Sequence, residues 1–539
     1  MNNPLLQKAS IVLSPTAYGT GTLNSIKPDY ALGPELVTNG TFDTDSNWTK
    51  TTGWTISGGK ANRSGASSNS YIAQDIDVIS GRNYIIKYDR TYVSGDGQTN
   101  LFSYFEGSSS RSTRGNYDDQ TVETVTVTDY FKPEHTGNLS LRVYGISDFT
   151  GSVDNVSIKE IKDADFDFTR NTTATRVNES GLIETVAINT PRINFTSGVG
   201  SILLESDMTN HYLKSEAFDN FQGTIALNNA TSPTGATNAA KLTKTSASDQ
   251  FLNLSWSGTT ISTSKAYTMS LFVKHNGDDI DVRYEYNNSS DWGVTWTALF
   301  LVRASGTTAS TVANCTSKVE DFGNGWYRIS CTFTTASSVT ATSPANLVRI
   351  IGGDTETILV FGAQMEKFEA PTSYIRTSGS AVTRGADVAN NAANSDLINS
   401  PEGVLYLEIA FNNFTNNQIA LSDGSANNRV TFTSSGTTNR FKAQVKVGGT
   451  TVFSGHASAI DNTENFNKYA IKWKENDFAL WCNGTEKETD TSGSSFSAGT
   501  LNTLLFDRGD GSNDFYGKVK VLAVFKEALT DAELTTLTS

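Results

Sequence analysis

Cysteine is almost absent from this chain: three residues in 539, Cys315, Cys331 and Cys482, exclude a disulfide framework and leave the hydrophobic cores to suffice. Histidine is nearly as scarce. His135, His211, His275 and His456 are scattered and never fall in a His-x-x-x-His spacing, so zinc chemistry lacks its ligands. No run of Lys or Arg interrupts the 42 basic and 56 acidic residues, and with a net charge of −14 nucleic acid is not an expected partner. No stretch of about 18 apolar residues occurs, so no membrane insertion is expected. Met1 to Ser14 holds only the short apolar pieces Leu5-Leu6 and Ile11-Val12-Leu13, without the basic segment and apolar h-region of a secretory signal. Gly-x-Ser-x-Gly and phosphate-binding Gly-rich loops are missing too, which leaves hydrolase and nucleotidase readings without their residues.

What is abundant points to strands. Ten per cent aromatic residues and 44 Gly, beside only 18% charged residues, favour sheets and turns over helices. A chain of 539 residues exceeds one hydrophobic core and fits two to four domains. The expected fold is all-β, with three antiparallel β-sandwiches in series joined by extended linkers. Residues 1–33 form a leader punctuated by Pro and Gly, either an attachment segment or a strand and loop packed on the first domain.

Residues 34–161 carry short period-2 runs such as Tyr71-Ile72-Ala73-Gln74-Asp75-Ile76 and Leu139-Ser140-Leu141-Arg142-Val143-Tyr144, the pattern of a half-buried antiparallel sheet. Leu36 to Asp43, Gly53-Trp54, Gly59-Lys60-Ala61 and Val153-Asp154-Asn155-Val156-Ser157-Ile158, in that order, resemble the jelly-roll carbohydrate-binding modules. Residues 162–210 differ: Phe166 to Arg170, Ala174 to Glu184, Pro191 to Phe195 and Leu203-Leu204-Glu205 resemble a connector that recurs in bacteriophage tail and other virion proteins. Residues 211–370 read as a second jelly-roll module through Tyr267 to Lys274, Trp326 to Phe333 and Ile358 to Glu366. In the linker, residues 371–402, Pro371 to Ile375 and Ala381 to Arg384 again resemble phage modules. Residues 403–539, with Tyr469 to Trp473, Phe478 to Gly484, Phe515 to Val521 and a short helix over Ala528 to Leu534, resemble the laminin-G/concanavalin-like lectins. Asn483-Gly484 is the pair a tight hairpin requires.

Catalysis needs a placed nucleophile or two acids facing one cleft. Carboxylate pairs such as Asp118-Asp119 and Asp278-Asp279 are adjacent in sequence, which on a strand sets them on opposite faces. No catalytic residue is assigned and no cofactor is required. The jelly-roll resemblance implies a structural calcium ion at Asp43 and Asp154, on its first and last strands; the alternative is that Asp43 caps a turn and Asp154 starts a strand. Sugar rings stack on aromatic faces. Trp48, Trp54, Trp326, Trp473 and Trp481 sit where sandwiches bury an aromatic. Trp292 and Trp296 share one strand face beyond a polar Asn287-Asn288-Ser289-Ser290 approach, and Tyr92, Tyr104 and Tyr117 lie near Gly-rich loops, so these five are the carbohydrate-binding candidates; the alternative for the two tryptophans is a face turned to the core. Cys315 and Cys331 lie symmetrically about Gly323, and a hairpin there sets them opposite one another, either reduced or as a late-forming disulfide.

Together the resemblances imply a structural and adhesive component of a bacteriophage virion, assembled in the host cytoplasm and displayed on the particle surface. Its expected partners are host-surface glycans and, through the N-terminal segment, other virion proteins. A homotrimer is common among phage fibres, although no heptad or β-helix pattern enforces one here. The alternative is a virion-attached glycanase that degrades capsule or lipopolysaccharide.

Overall fold

The computed structural model describes every residue except 1–3, 15–17, 20–21, 24–31, 67, 79–82, 96–98, 106–110, 118–123, 132, 134–135, 162–164, 197, 257–260, 287–295, 340–347, 412–414, 436–439 and 458–462. The chain is all-β and built of antiparallel sheets. Residues 29–163 form one compact unit, and residues 1–28 with 164–539 form another.

The first unit is a sandwich of a five-stranded and a six-stranded sheet. In the strand Gly137–Gly145, Leu139, Leu141 and Val143 turn inward while Ser140 and Arg142 do not, so the period-2 pattern is a burial pattern. Ile72, Ile76, Tyr84, Ile86, Tyr88 and Trp54 join them in a core drawn, among the described residues, from residues 37–158 alone. The motif residues at the two ends of this segment meet. A bulge sets Asn155 at φ 50° between Asp154 and Ser157, and the Val156 N–H donates to the Gly40 carbonyl at 2.9 Å. A Cβ on Gly40 would lie 2.0 Å from the Val156 oxygen, so only glycine fits there.

The second unit holds two further sandwiches. In one, a six-stranded sheet centred on Ala266–His275 and Thr357–Glu366 faces a five-stranded sheet centred on Ile280–Tyr286. In the other, an eight-stranded sheet built around Gly517–Phe525 and Glu402–Ala410 faces a five-stranded one, and the helix Asp531–Thr538 closes it. Thr530 and Glu533 cap that helix reciprocally. Asn483 and Gly484 take φ of 47° and 75°, as their hairpin requires.

Leader, connector and linker are drawn together. Ile11–Leu13 pairs with Leu522 to Val524, and Ser201–Leu204 pairs with Gly517 to Val519, so leader and connector lie along the same edge of the last strand of the C-terminal sandwich. Among the leader's described strands, Leu32–Glu35 pairs with Thr150–Ile161 of the first sandwich, while Ile11–Leu13 is packed on the last. Its three apolar residues are completely buried, which removes them from any docking surface. Leu23 pairs with Phe166, so residues 24–165 depart from and return to neighbouring strands. Asn210 pairs with Val382 in the same way, so residues 211–381 are a second insertion.

The hairpin ending at residues 316 and 332 pairs Ser317 with Cys331, two positions from the expected register. Gly323, Asn324 and Gly325 all have positive φ, and this turn centres on Asn324. Cys315 and Cys331 are free thiols.

Candidate functional site

The aromatic candidates separate. Tyr92 is buried, its hydroxyl donates to the Gly95 carbonyl at 2.9 Å, and its ring packs 6.4 Å from Phe149, so it presents no stacking face. It is a packing residue, a correction that follows from its place in Asn83–Ser94, beside the buried Arg90. Tyr104 and Tyr117 stand on the adjacent strands Thr99–Phe105 and Arg111–Tyr117, opposite Arg111 and Thr99 respectively; their side chains lie outside the described residues. Trp292 lies outside them altogether. Trp296 opens the strand Trp296–Arg303 opposite Tyr286, and its side chain is likewise outside the description. Trp48, Trp54, Trp326, Trp473 and Trp481 are all buried, as expected of core aromatics.

Asp43 is exposed, with one carboxylate oxygen accepting from Thr41 Oγ1 at 2.7 Å. Asp154 accepts from the Asn155 N–H at 2.7 Å across the bulge. The Gly40–Val156 contact brings their two segments together. Among the described residues no three His, Cys, Asp or Glu side chains converge to hold a metal. A calcium ion at these two aspartates would therefore draw its remaining ligands from backbone carbonyls or water, which suits its preference for oxygen donors.

The most concentrated chemistry lies in the connector. Arg170 Nη1 meets Asp387 Oδ1 at 2.9 Å, Arg192 bonds the other oxygen of Asp387 and reaches Glu205 at 2.8 Å, and Arg384 bonds Glu205. Arg170, Arg192 and Asp387 are inaccessible, and Arg384 nearly so. Burial pushes the Glu205 carboxyl up, but Arg384 and Arg192 overcome it and hold the group well below the usual carboxylate range. Ser373 adds hydrogen bonds to both Glu205 oxygens, at 2.8 Å from its N–H and 2.6 Å from its hydroxyl. Nearby Glu366 is raised, because complete burial outweighs Arg328 and its bonds from Thr372. Each of the three arginines has a carboxylate partner, Asp387 and Glu205 being shared among them, as buried guanidinium groups require.

Beside this core lies a cavity of about 120 Å³, walled by the connector, the second sandwich and the C-terminal sandwich. Phe272, Phe322, Phe368 and Tyr516 contribute apolar surface, and Glu205, Glu320, Arg328 and Lys518 contribute charge. Lys518 stands directly between Leu203 and Ala410 on the neighbouring strands, so the three side chains share one sheet face. Burial pushes its ammonium below the usual lysine range. Sequence pattern gave no sign of this cavity, because its walls are separated by more than 300 residues.

Residues 405–535 match the family described as the Concanavalin A-like lectin/glucanases superfamily. No curated protein sequence matches the chain. Among solved structures, the CBM40 module of the IT-sialidase from Ruminococcus gnavus is 15% identical, with 28% of this chain and 94% of that one covered at a TM-score of 0.23. Domain 4 of an extracellular arabinanase from Geobacillus stearothermophilus, solved with arabinotriose, is 16% identical over 32% and 83% of the two chains at a TM-score of 0.25. A tandem carbohydrate-binding domain from a Paenibacillus barcinonensis xylanase is 11% identical over 63% and 98% at 0.21. The region from 405 to 535 is thus a lectin-like β-sandwich of the concanavalin type.

Proposed function

We propose that the chain is a structural and adhesive component of a bacteriophage particle, without catalytic activity of its own, that presents lectin-like modules to glycans of the host surface. The observation that carries the glycan reading is the match of residues 405–535 to a lectin superfamily. The virion reading is supported by the connector motifs from Phe166 to Glu205. Those motifs build the ionic core on which the C-terminal and second sandwiches are mounted, as a display scaffold requires. Weak single sites suffice on a particle, because many copies raise avidity steeply. Contacts to other virion proteins then fall to surfaces other than Ile11–Leu13, which are engaged within the chain.

Immunogold labelling of intact particles, with a glycan array probed by the full chain, tests both halves. Label on head, neck or tail and binding of host-surface glycans are expected; unlabelled particles end the virion reading, and a blank array ends the glycan reading. Sedimentation of the same protein reads whether it forms a homotrimer. The second reading is a glycanase, favoured because the superfamily description pairs lectins with glucanases. Release of reducing sugar from host polysaccharide would replace the adhesive reading with that one.

A further inference from the structure

The charges around the junction cavity do not all cancel. Glu205 is neutralised by Arg192 and Arg384. Glu320 has Lys318 at 3.7 Å, and Lys318 also reaches Glu464 at 2.9 Å, bridging the second and C-terminal sandwiches. Arg176 is paired with Glu184 at 2.7 Å, and Arg328 donates to the Thr372 carbonyl at 2.6 Å and to Ser270 Oγ at 2.9 Å. Lys518 is different. It lines the cavity, half-buried, and takes no hydrogen bond or ion pair among the described residues, while Glu320, Glu205 and Glu464 act on it at longer range. A half-buried lysine beside Leu203 and Ala410 gives up part of its hydration with no hydrogen-bond partner in return, a cost that a bound acceptor would offset. Apolar side chains of similar length would fill that position at no such cost.

We propose that this cavity is a binding site for a carboxylate-bearing sugar residue, held by an ion pair to Lys518 and by the apolar wall of Phe322, Phe368 and Tyr516. The two halves of the site select the two halves of the ligand. An ammonium without a bonded partner calls for one anionic group, and a phosphate monoester, with higher charge, would meet Glu320 and Glu205 close by. The aromatic wall calls for a flat apolar face, which a pyranose ring presents on one side. A volume of about 120 Å³ is several times what one water needs and suits a single ring. The walls come from three segments of the chain, so the site exists only when the connector has joined the two sandwiches. The proposal rests on the glycan-binding reading above and specifies one of its ligand classes.

The test is calorimetric titration of the full chain with trigalacturonate and with its uncharged methyl ester. The acid is expected to bind about tenfold or more tighter than the ester, the difference a charge-assisted contact supplies. Lys518→Met should abolish that preference while leaving the thermal midpoint unchanged or higher, since it removes a half-buried charge that has no hydrogen-bond partner. Equal affinity of acid and ester for the unaltered protein overturns the proposal without recourse to any variant. So does a preference that survives Lys518→Met, or absence of binding by the acid. If the acid fails while neutral glycans bind on the array, this assignment falls and the glycan reading stands; if the array is also blank, both fall.

Discussion

The first and second sandwiches are both insertions, yet they are held differently. Residues 24–165 depart and return through the pairing of Thr22–Leu23 with Phe166 and Asp167, and the core of the sandwich between them is closed on itself. Residues 211–381 depart and return through Met208–Asn210 and Val382–Arg384, and here the attachment continues inward. Buried Asn210 donates to the carbonyls of Ala363 at 3.1 Å and Ile375 at 2.8 Å. Val177 and Ile183 of the connector pack with Phe272, Trp326, Phe361 and Tyr374 of the sandwich in one cluster. The first sandwich thus closes its own core, and the second has one sheet face covered by the scaffold that carries it.

Excision should expose this difference most plainly. Replacing residues 29–163 by a short Gly/Ser linker should leave the remainder folded, with a thermal midpoint within about 2 °C of its value in the full chain, because the stem strands already lie side by side. Removing residues 211–381 should instead give an insoluble or protease-sensitive product, since it uncovers Val177 and Ile183 and takes away Ser373 from Glu205. Limited proteolysis of the two deletions reads the contrast. A soluble, resistant product from the second deletion would mean that the covering hairpin contributes little.

Asp387→Ala is the sharper single change. It leaves Arg170 and Arg192 facing one another without their shared carboxylate, a loss of about 3–5 kcal/mol for a buried pair broken on one side. Calorimetry should show the transition of the larger unit falling while that of residues 29–163 stays in place. Movement of both transitions together would contradict the division into two units.

Acid should separate the regions in the same direction. Glu205 is held below its ordinary value of 4.5, so its contribution is complete above that pH and is lost as pH falls below it. Glu366 is raised and has the opposite sign: its contribution is complete below about 4.5 and declines as pH rises through its folded value. Thermal scans between pH 6 and pH 3 should therefore show the larger unit losing stability below 4.5 and Glu205→Gln flattening that loss. A variant with an undiminished acid loss would place its origin elsewhere.

The difference between the two sandwiches was partly legible in the sequence. Leu139-Ser140-Leu141-Arg142-Val143 alternates, as a strand with one buried face must, and belongs to the closed module. Ile358-Leu359-Val360-Phe361 does not alternate, and both its faces are buried, one by the sandwich core and the other by the connector hairpin. The sandwiches, the C-terminal helix and the core tryptophans followed from local pattern and resemblance. The insertion topology did not, because a pairing such as Leu23 with Phe166 spans more than 140 residues and leaves no local period. Arg170, Arg192 and Arg384 were visible as arginines in polar company, but their carboxylate partners lie up to 217 residues away. The stacking candidates missed for a related reason in the case of Tyr92: a tyrosine near a Gly-rich loop is as readily a hydroxyl bonded to that loop.

The smallest expected effect concerns the first sandwich alone. Asp154→Ala removes an acceptor from the Asn155 N–H at the bulge, which is partly open to water, so without calcium the loss should be about 1 kcal/mol or less. If an ion joins Asp43 and Asp154, its binding to the folded module alone adds stability by mass action. The unaltered protein should then melt higher in millimolar calcium than in chelator, through the transition of residues 29–163 only, and Asp154→Ala should lose that increment while the larger unit is unmoved. Equal losses in calcium and in chelator would remove the ion from this module and leave Asp154 as the residue that shapes the bulge against which Gly40 packs.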